Sequence, residues 1–411
     1  MIQFRNRDEL GLPDQGQRRH GLTGMRFRFA GIMTLFAVLA LTLTACTGGP
    51  TEPNWSDISL MDGNILLTFS TVMLQLDPVD GSQVNLYDAN GNVRTDPSTN
   101  TARRWEIAAS GGSSPTRFYT TPLNVADNLL LAASYDRKLI EIEQDTARVI
   151  DINGTAIPGH MVADLLRDGD VLYVPLAEKD LLALTVDGYS QLWRFSTTRG
   201  VWATPLLLDG VLYVTSMDHF MYAVNAETGE ELWRIDLQGA IASTPLLYNG
   251  SLFVGNFARK LFEISLDGVI IAEYDTADWV WGTPVIADDV LYAADLVGNV
   301  YALDISGEGF SELWRRQIAS RAIRPSPIVY EDRLVVASRD HYVYWLDRET
   351  GEVIVRHDVR GEVLAEMLLI EPSETLIIGE PLLLVSTMSR ENLLFAFQAD
   401  GNSEPRWKYP R

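Results

Sequence analysis

The side chains able to do chemistry are few and scattered. The chain holds a single cysteine, Cys46, so neither an internal disulfide nor a multi-cysteine metal site can form. The histidines beyond the N-terminal region are His160, His219, His341 and His357. His219 follows Asp218 and His341 follows Asp340 in equivalent turns of two distant repeats, too far apart to share a metal, so both read as turn residues. Asp88-Ala89-Asn90-Gly91-Asn92 has the composition of a calcium loop, but its glycine is misplaced and no acidic residue closes it. A hairpin turn is expected there. Arg321 and Arg324 make a positive spot that can either recognise a carboxylate or pair with neighbouring acids. No metal site and no catalytic residue are expected.

Two stretches position the rest of the chain. The first is an address. Met25-Arg26-Phe27-Arg28-Phe29 is basic and leads into an apolar run from Ala30 to Leu43, the form of a secretory signal. Met25 can serve as the start as well as Met1. The run ends in Leu43-Thr44-Ala45-Cys46, which resembles the bacterial lipobox. That resemblance implies cleavage before Cys46, diacylglycerol on its thiol, and a lipid-anchored tether over 46–55. Thr47, not aspartate, follows the cysteine, which resembles the outer-membrane sorting pattern; the expected location is extracytoplasmic, facing the periplasm in a host with an outer membrane and on the cell surface otherwise. The net charge is −22, so electrostatics supplies no membrane attraction and disfavours nucleic acid.

The second stretch fills 56–411 with a repeat. Thr204-Pro205-Leu206-Leu207-Leu208-Asp209-Gly210-Val211-Leu212-Tyr213-Val214 is echoed from Thr244-Pro245, Thr283-Pro284, Ser326-Pro327 and Thr121-Pro122, with a degenerate copy from Ala163-Asp164. The copies recur about every forty residues. Asp-Gly and Asn-Gly pairs between β-branched runs are hairpin turns, so each unit is a four-stranded antiparallel meander. Such units bury both faces only by stacking in a closed ring, a β-propeller. A first unit opens at Asp57 and carries an insertion expected within 88–101; a last unit runs from Glu366, its first strand broken at Glu371-Pro372-Ser373. The fold class is therefore all-β, an eight-bladed propeller, with seven blades as the alternative.

Ala223-Val224-Asn225-Ala226-Glu227-Thr228-Gly229-Glu230-Glu231-Leu232-Trp233 resembles the PQQ-like repeat, and Leu346-Asp347-Arg348-Glu349-Thr350-Gly351-Glu352 repeats most of it. The resemblance implies that Trp105, Trp193, Trp233, Trp314 and Trp407 sit on outer strands and pack between blades. Blades two, five and seven place Ile150, Ile271 and Val355 near that slot and are expected to pack less tightly. A second aromatic set precedes the Thr-Pro anchors: Phe118, Tyr119, Trp202, Trp279 and Trp281, with Ile241 or Arg324 elsewhere. These residues should gather at one rim of the central channel, either lining a binding surface or plugging the channel mouth.

A lipobox followed by PQQ-like repeats resembles the BamB family of lipoproteins, accessories of the outer-membrane β-barrel assembly machine. The resemblance implies a monomeric, non-catalytic scaffold that docks an envelope protein, a β-barrel assembly component in that family, through one rim. The segment Thr197-Thr198-Arg199-Gly200-Val201-Trp202 resembles the family's Arg-Gly docking segment, with Thr197 and Thr198 where the family carries apolar residues. The related quinoproteins imply the alternative of a PQQ-dependent oxidoreductase, which a chain without a second cysteine to form the vicinal disulfide disfavours. A carbohydrate binder using Trp202, Trp279 and Trp281 is the third reading. Outside the quinoprotein alternative, no cofactor is expected.

Overall fold

The computed structural model describes residues 56–108, 116–374 and 376–410. The signal, Cys46 and the tether lie outside them. Eight antiparallel sheets follow one another along the chain, each with strands in consecutive order. Blades 1 to 8 span 56–108, 123–156, 166–196, 206–236, 246–275, 285–317, 328–358 and 368–409. A 3-10 turn at Gln144–Thr146 is the one helical element among the described residues.

Blade 4 shows how sequence makes a blade. Leu206–Leu208, Val211–Thr215, Phe220–Asn225 and Glu231–Asp236 pair in a meander. Asp209 and Gly210 both take positive φ, 48° and 78°, the geometry of a two-residue I′ hairpin, and Asn249-Gly250 repeats it. The middle strands are buried on both faces and the outer strand alternates half-buried with exposed. His219 and His341 sit at positive φ in the following turn, while Asp218 and Asp340 do the bonding there, accepting the hydroxyls of Tyr222 and Tyr344.

There is no single central core. Eight apolar clusters each lie between two neighbouring blades, including one that joins blade 8 to blade 1 and so closes the ring. No strand is shared across that seam. A tryptophan wedges most of the junctions. The Trp193 indole N–H donates to the Ala226 carbonyl of the next blade at 3.1 Å, and its ring lies on Gly229, where a Cβ would stand 2.6 Å away. Trp105, Trp233, Trp314 and Trp407 donate in the same way to Gln144, Leu266, Arg348 and Pro78.

Three local expectations are corrected. In blade 5 the slot belongs to Ala272; Ile271 is the bulge residue beside it and 52% exposed. In blade 7 Val355 does hold the outer slot, but Trp345, opposite it on the third strand, supplies the wedge. Its indole donates to Ala399 at 2.9 Å and its ring lies on Gly401. That junction is as filled as its neighbours. The blade 1 insertion begins earlier than expected, at Asp77, and is pinned by short bridges between Asn85 and Arg104, Tyr87 and Val93, and Thr95 and Ala102. The first strand of blade 8, Leu368–Ile370, ends where Glu371-Pro372-Ser373 begins.

Candidate functional site

The segments that cross from one blade to the next converge on one end of the channel. Their anchor residues form a collar. Thr204 donates its hydroxyl to the Asp164 carbonyl, Thr244 to Thr204 and Thr283 to Thr244, at 3.1, 2.9 and 3.1 Å. The Thr283 amide donates to the Ser326 hydroxyl, the Ser326 amide to a Glu366 oxygen at 2.7 Å, and the Thr121 amide to an Asp57 oxygen at 2.9 Å. The Thr-Pro phrase of the repeat is thus an inter-blade fastening. Three of the eight anchors are acids: Asp57, Asp164 and Glu366. In sequence these positions mark only the repeat, and nothing there groups the three acids together.

Backbone alternation sorts the residues ahead of each anchor. Those three before it point into the blades: Phe118, Met161, Val201, Ile241, Val280, Ile323 and Val363 are all buried. Those two before it line the mouth: Tyr119, Val162, Trp202, Ala242, Trp281, Arg324 and Leu364. Phe118 is therefore a core residue and not a rim residue, fully buried between blades 1 and 2. Ile241 likewise is core, and Ala242 is the channel position of its blade. The mouth they enclose holds about 360 Å³.

Its walls divide by chemistry. On one side Trp202 and Trp281 lie 6.3 Å apart, and Trp281 packs on Phe257 at 5.2 Å. Phe257 in turn stacks flat on Trp279, 4.8 Å away with 7° between planes. Trp279 is 45% exposed, so this aromatic track runs from the channel out to the open rim of blades 4 to 6. Phe257, in the turn after Asn256, carried no repeat signal; only an aromatic in a turn pointed to it. Arg324 sits over the inner end of the track, 3.6 Å above the Trp281 ring. Burial pushes its guanidinium down to about 10, Arg339 adding to the effect and Glu366 opposing it. Arg321 does not join it: it pairs with Glu362 at 3.0 Å, as does Arg339. Tyr119 lines the mouth but packs edge-to-face with Tyr135 at 5.0 Å, away from the tryptophans.

On the other side stand the acids. Burial raises the Asp57 carboxyl well above its ordinary range, with Asp164 and Glu366 adding repulsion against the amides of Ile58 and Thr121. Burial pushes Asp164 up to about 6 and raises Glu366, the latter offset by the Ser326 amide and hydroxyl and by Arg324. Asp164 and Glu366 are exposed in the channel mouth.

Arg199 is exposed on the rim. Its segment is held by Asp218, which accepts the Thr198 amide at 2.8 Å. Gly200 has a structural reason to be glycine: any Cβ would run into the Ala177 carbonyl, and Gly239 meets Ala258 in the same way one blade on. Only Arg199 of the pair is free to specify a partner.

PQQ carries three carboxylates. A mouth with three acids and one arginine already engaged by Trp281 does not suit it, and no second cysteine exists for the vicinal disulfide of the quinoproteins. Among the described residues, no group of three His, Cys, Asp or Glu is placed to hold a metal.

The fold and this collar define a PQQ-like repeat β-propeller. A family model described as outer membrane protein assembly factor BamB matches residues 177–278 and 271–409, more than half of the chain, and the chain belongs to that family. Among solved structures it resembles BamB from Moraxella catarrhalis, at 16% identity over 85% of this chain and 95% of that one, with a TM-score of 0.57. It also resembles the computationally designed Ika8 protein, at 14% identity over 84% of this chain and 96% of that one, with a TM-score of 0.61. At such identities the likeness is one of fold. No curated protein matches the chain.

Proposed function

We propose that this protein is a non-catalytic docking scaffold of the cell envelope, tethered by a lipid on Cys46, that grips a component of the outer-membrane assembly apparatus with the rim of blades 4 to 6. The observation that carries this reading is the track from Trp202 through Trp281 and Phe257 to the exposed Trp279. A large aromatic exposed at the end of a rigid stack is a low-entropy anchor for a partner. Arg199 adds a cation on the same segment as Trp202. Family membership supports the assembly role, and the lipobox-like Leu43-Thr44-Ala45-Cys46 supports the anchor.

The test is crosslinking in intact envelopes followed by capture of the tagged full chain. An assembly component should be recovered with the wild type and lost with Trp279→Ala at unchanged fold. Recovery at wild-type levels with Trp279→Ala, or no assembly component with the wild type, would reject the reading. Cys46→Ser should move the protein from the membrane fraction to the soluble one. The exposed face of Trp279 also suits the ring of a sugar, and glycan-array binding lost on Trp279→Ala would favour that second reading.

A further inference from the structure

We infer that the channel mouth is a receptor for a cationic side chain, an arginine or lysine at the tip of a loop of the docked partner. This rests on the docking reading for its occupant, while the preference for a cation stands on the mouth alone.

The mouth is a cavity of about 360 Å³ whose collar replaces hydroxyls with carboxylates at Asp57, Asp164 and Glu366. Asp57 and Glu366 accept backbone N–H groups, yet the repulsion among the acids is left standing: Asp164 and Glu366 both raise Asp57. Among the described residues Arg324 is the one cation of the wall, its guanidinium 3.6 Å over the Trp281 ring.

A guanidinium or ammonium has the chemistry these features lack. It supplies several N–H donors and no acceptor. It relieves the repulsion among the carboxylates, and the faces of Trp202 and Trp281 offer it a π surface. An anion meets the opposite balance. A bound cation favours the ionised form of the raised carboxyls, so around pH 6, where Asp164 still holds part of its proton, binding releases protons and strengthens as pH rises.

The experiment is calorimetric titration of the full chain with the blocked pentapeptide Gly-Gly-Arg-Gly-Gly and with its citrulline counterpart, which keeps the shape and loses the charge. The arginine peptide should bind about tenfold more tightly or better, releasing protons. Asp164→Asn with Glu366→Gln should erase the difference; Glu366→Gln alone should reduce it if the double variant folds poorly. Equal affinity for the two peptides, silence from both at millimolar concentration, or a preference that survives the double variant would overturn the inference. Failure here is separable from failure of the docking reading. If Trp279→Ala abolishes capture of the assembly component while the peptides are not distinguished, docking stands and the cation receptor falls. If the peptides are distinguished while Trp279→Ala captures normally, the outcome is the reverse.

Discussion

Gly229 makes room for Trp193. A Cβ on this glycine, which sits at φ 74°, would stand 2.6 Å from the indole of the preceding blade. The recurring turn of one repeat is thus shaped by the tryptophan of another. Gly229→Ala carries both the left-handed strain and a clash against a ring fixed by its bond to Ala226, so it should cost about 2–4 kcal/mol. Gly210, at φ 78° with open space around it, carries the strain alone, and Gly210→Ala should cost about 1 kcal/mol. Urea unfolding of the two variants measures the difference.

The ring is held at its seam by side chains. Trp407, 8% exposed, donates to Pro78 at 2.9 Å and covers Gly81. Trp407→Ala should destabilise by about 3–5 kcal/mol. Hydrogen exchange should rise first in blades 1 and 8. Protection lost evenly around the ring would contradict a local seam.

Asp164 makes stability depend on pH. Burial lifts its carboxyl to about 6 in the folded state, so between the ordinary carboxylate value of about 4 and pH 6 the folded protein holds a proton the unfolded chain releases. Stability therefore falls as pH rises through that window and stays reduced above it. Asp164→Asn should raise the melting temperature at pH 8 and leave it unchanged at pH 4. An equal shift at both pH values would place the effect elsewhere.

Asp218 should control the presentation of Arg199. Burial pushes its carboxyl up, but bonds from the Thr198 amide, the Ser216 hydroxyl, the Tyr222 hydroxyl and the Phe220 amide outweigh this and hold it below the usual range. Asp218→Ala should free the segment around Arg199, cost about 1–3 kcal/mol and weaken partner capture, whereas Asp218→Asn should retain more of both. Capture assays beside thermal unfolding separate the two effects.

The repeat was fully legible in sequence because it is written in turns and alternation. Asp209-Gly210 and Thr204-Pro205 each have one physical use, and recurrence marks them out. What alternation demanded but inspection of single residues obscured was phase. Phe118 and Tyr119 both precede an anchor, yet the strand-like crossing segment sends one into the core and the other into the channel. Counting back from the anchor would have sorted them. The Trp345 substitution was hidden because the wedge moved to a neighbouring strand, where sequence offset no longer identifies it. The acidic half of the mouth escaped because Asp57, Asp164 and Glu366 lie more than three hundred residues apart at the extremes and meet only on closure.

Every blade is one uninterrupted stretch of chain, and the wedge that fastens blade 8 to blade 1 belongs to the final strand, Trp407–Tyr409. During synthesis, seven blades can form in order as they leave the ribosome. The circle itself exists only once the codons for Trp407–Tyr409 have been translated. A premature stop ahead of Trp407 would therefore yield a polypeptide whose first and eighth blades lack the wedge that locks them together.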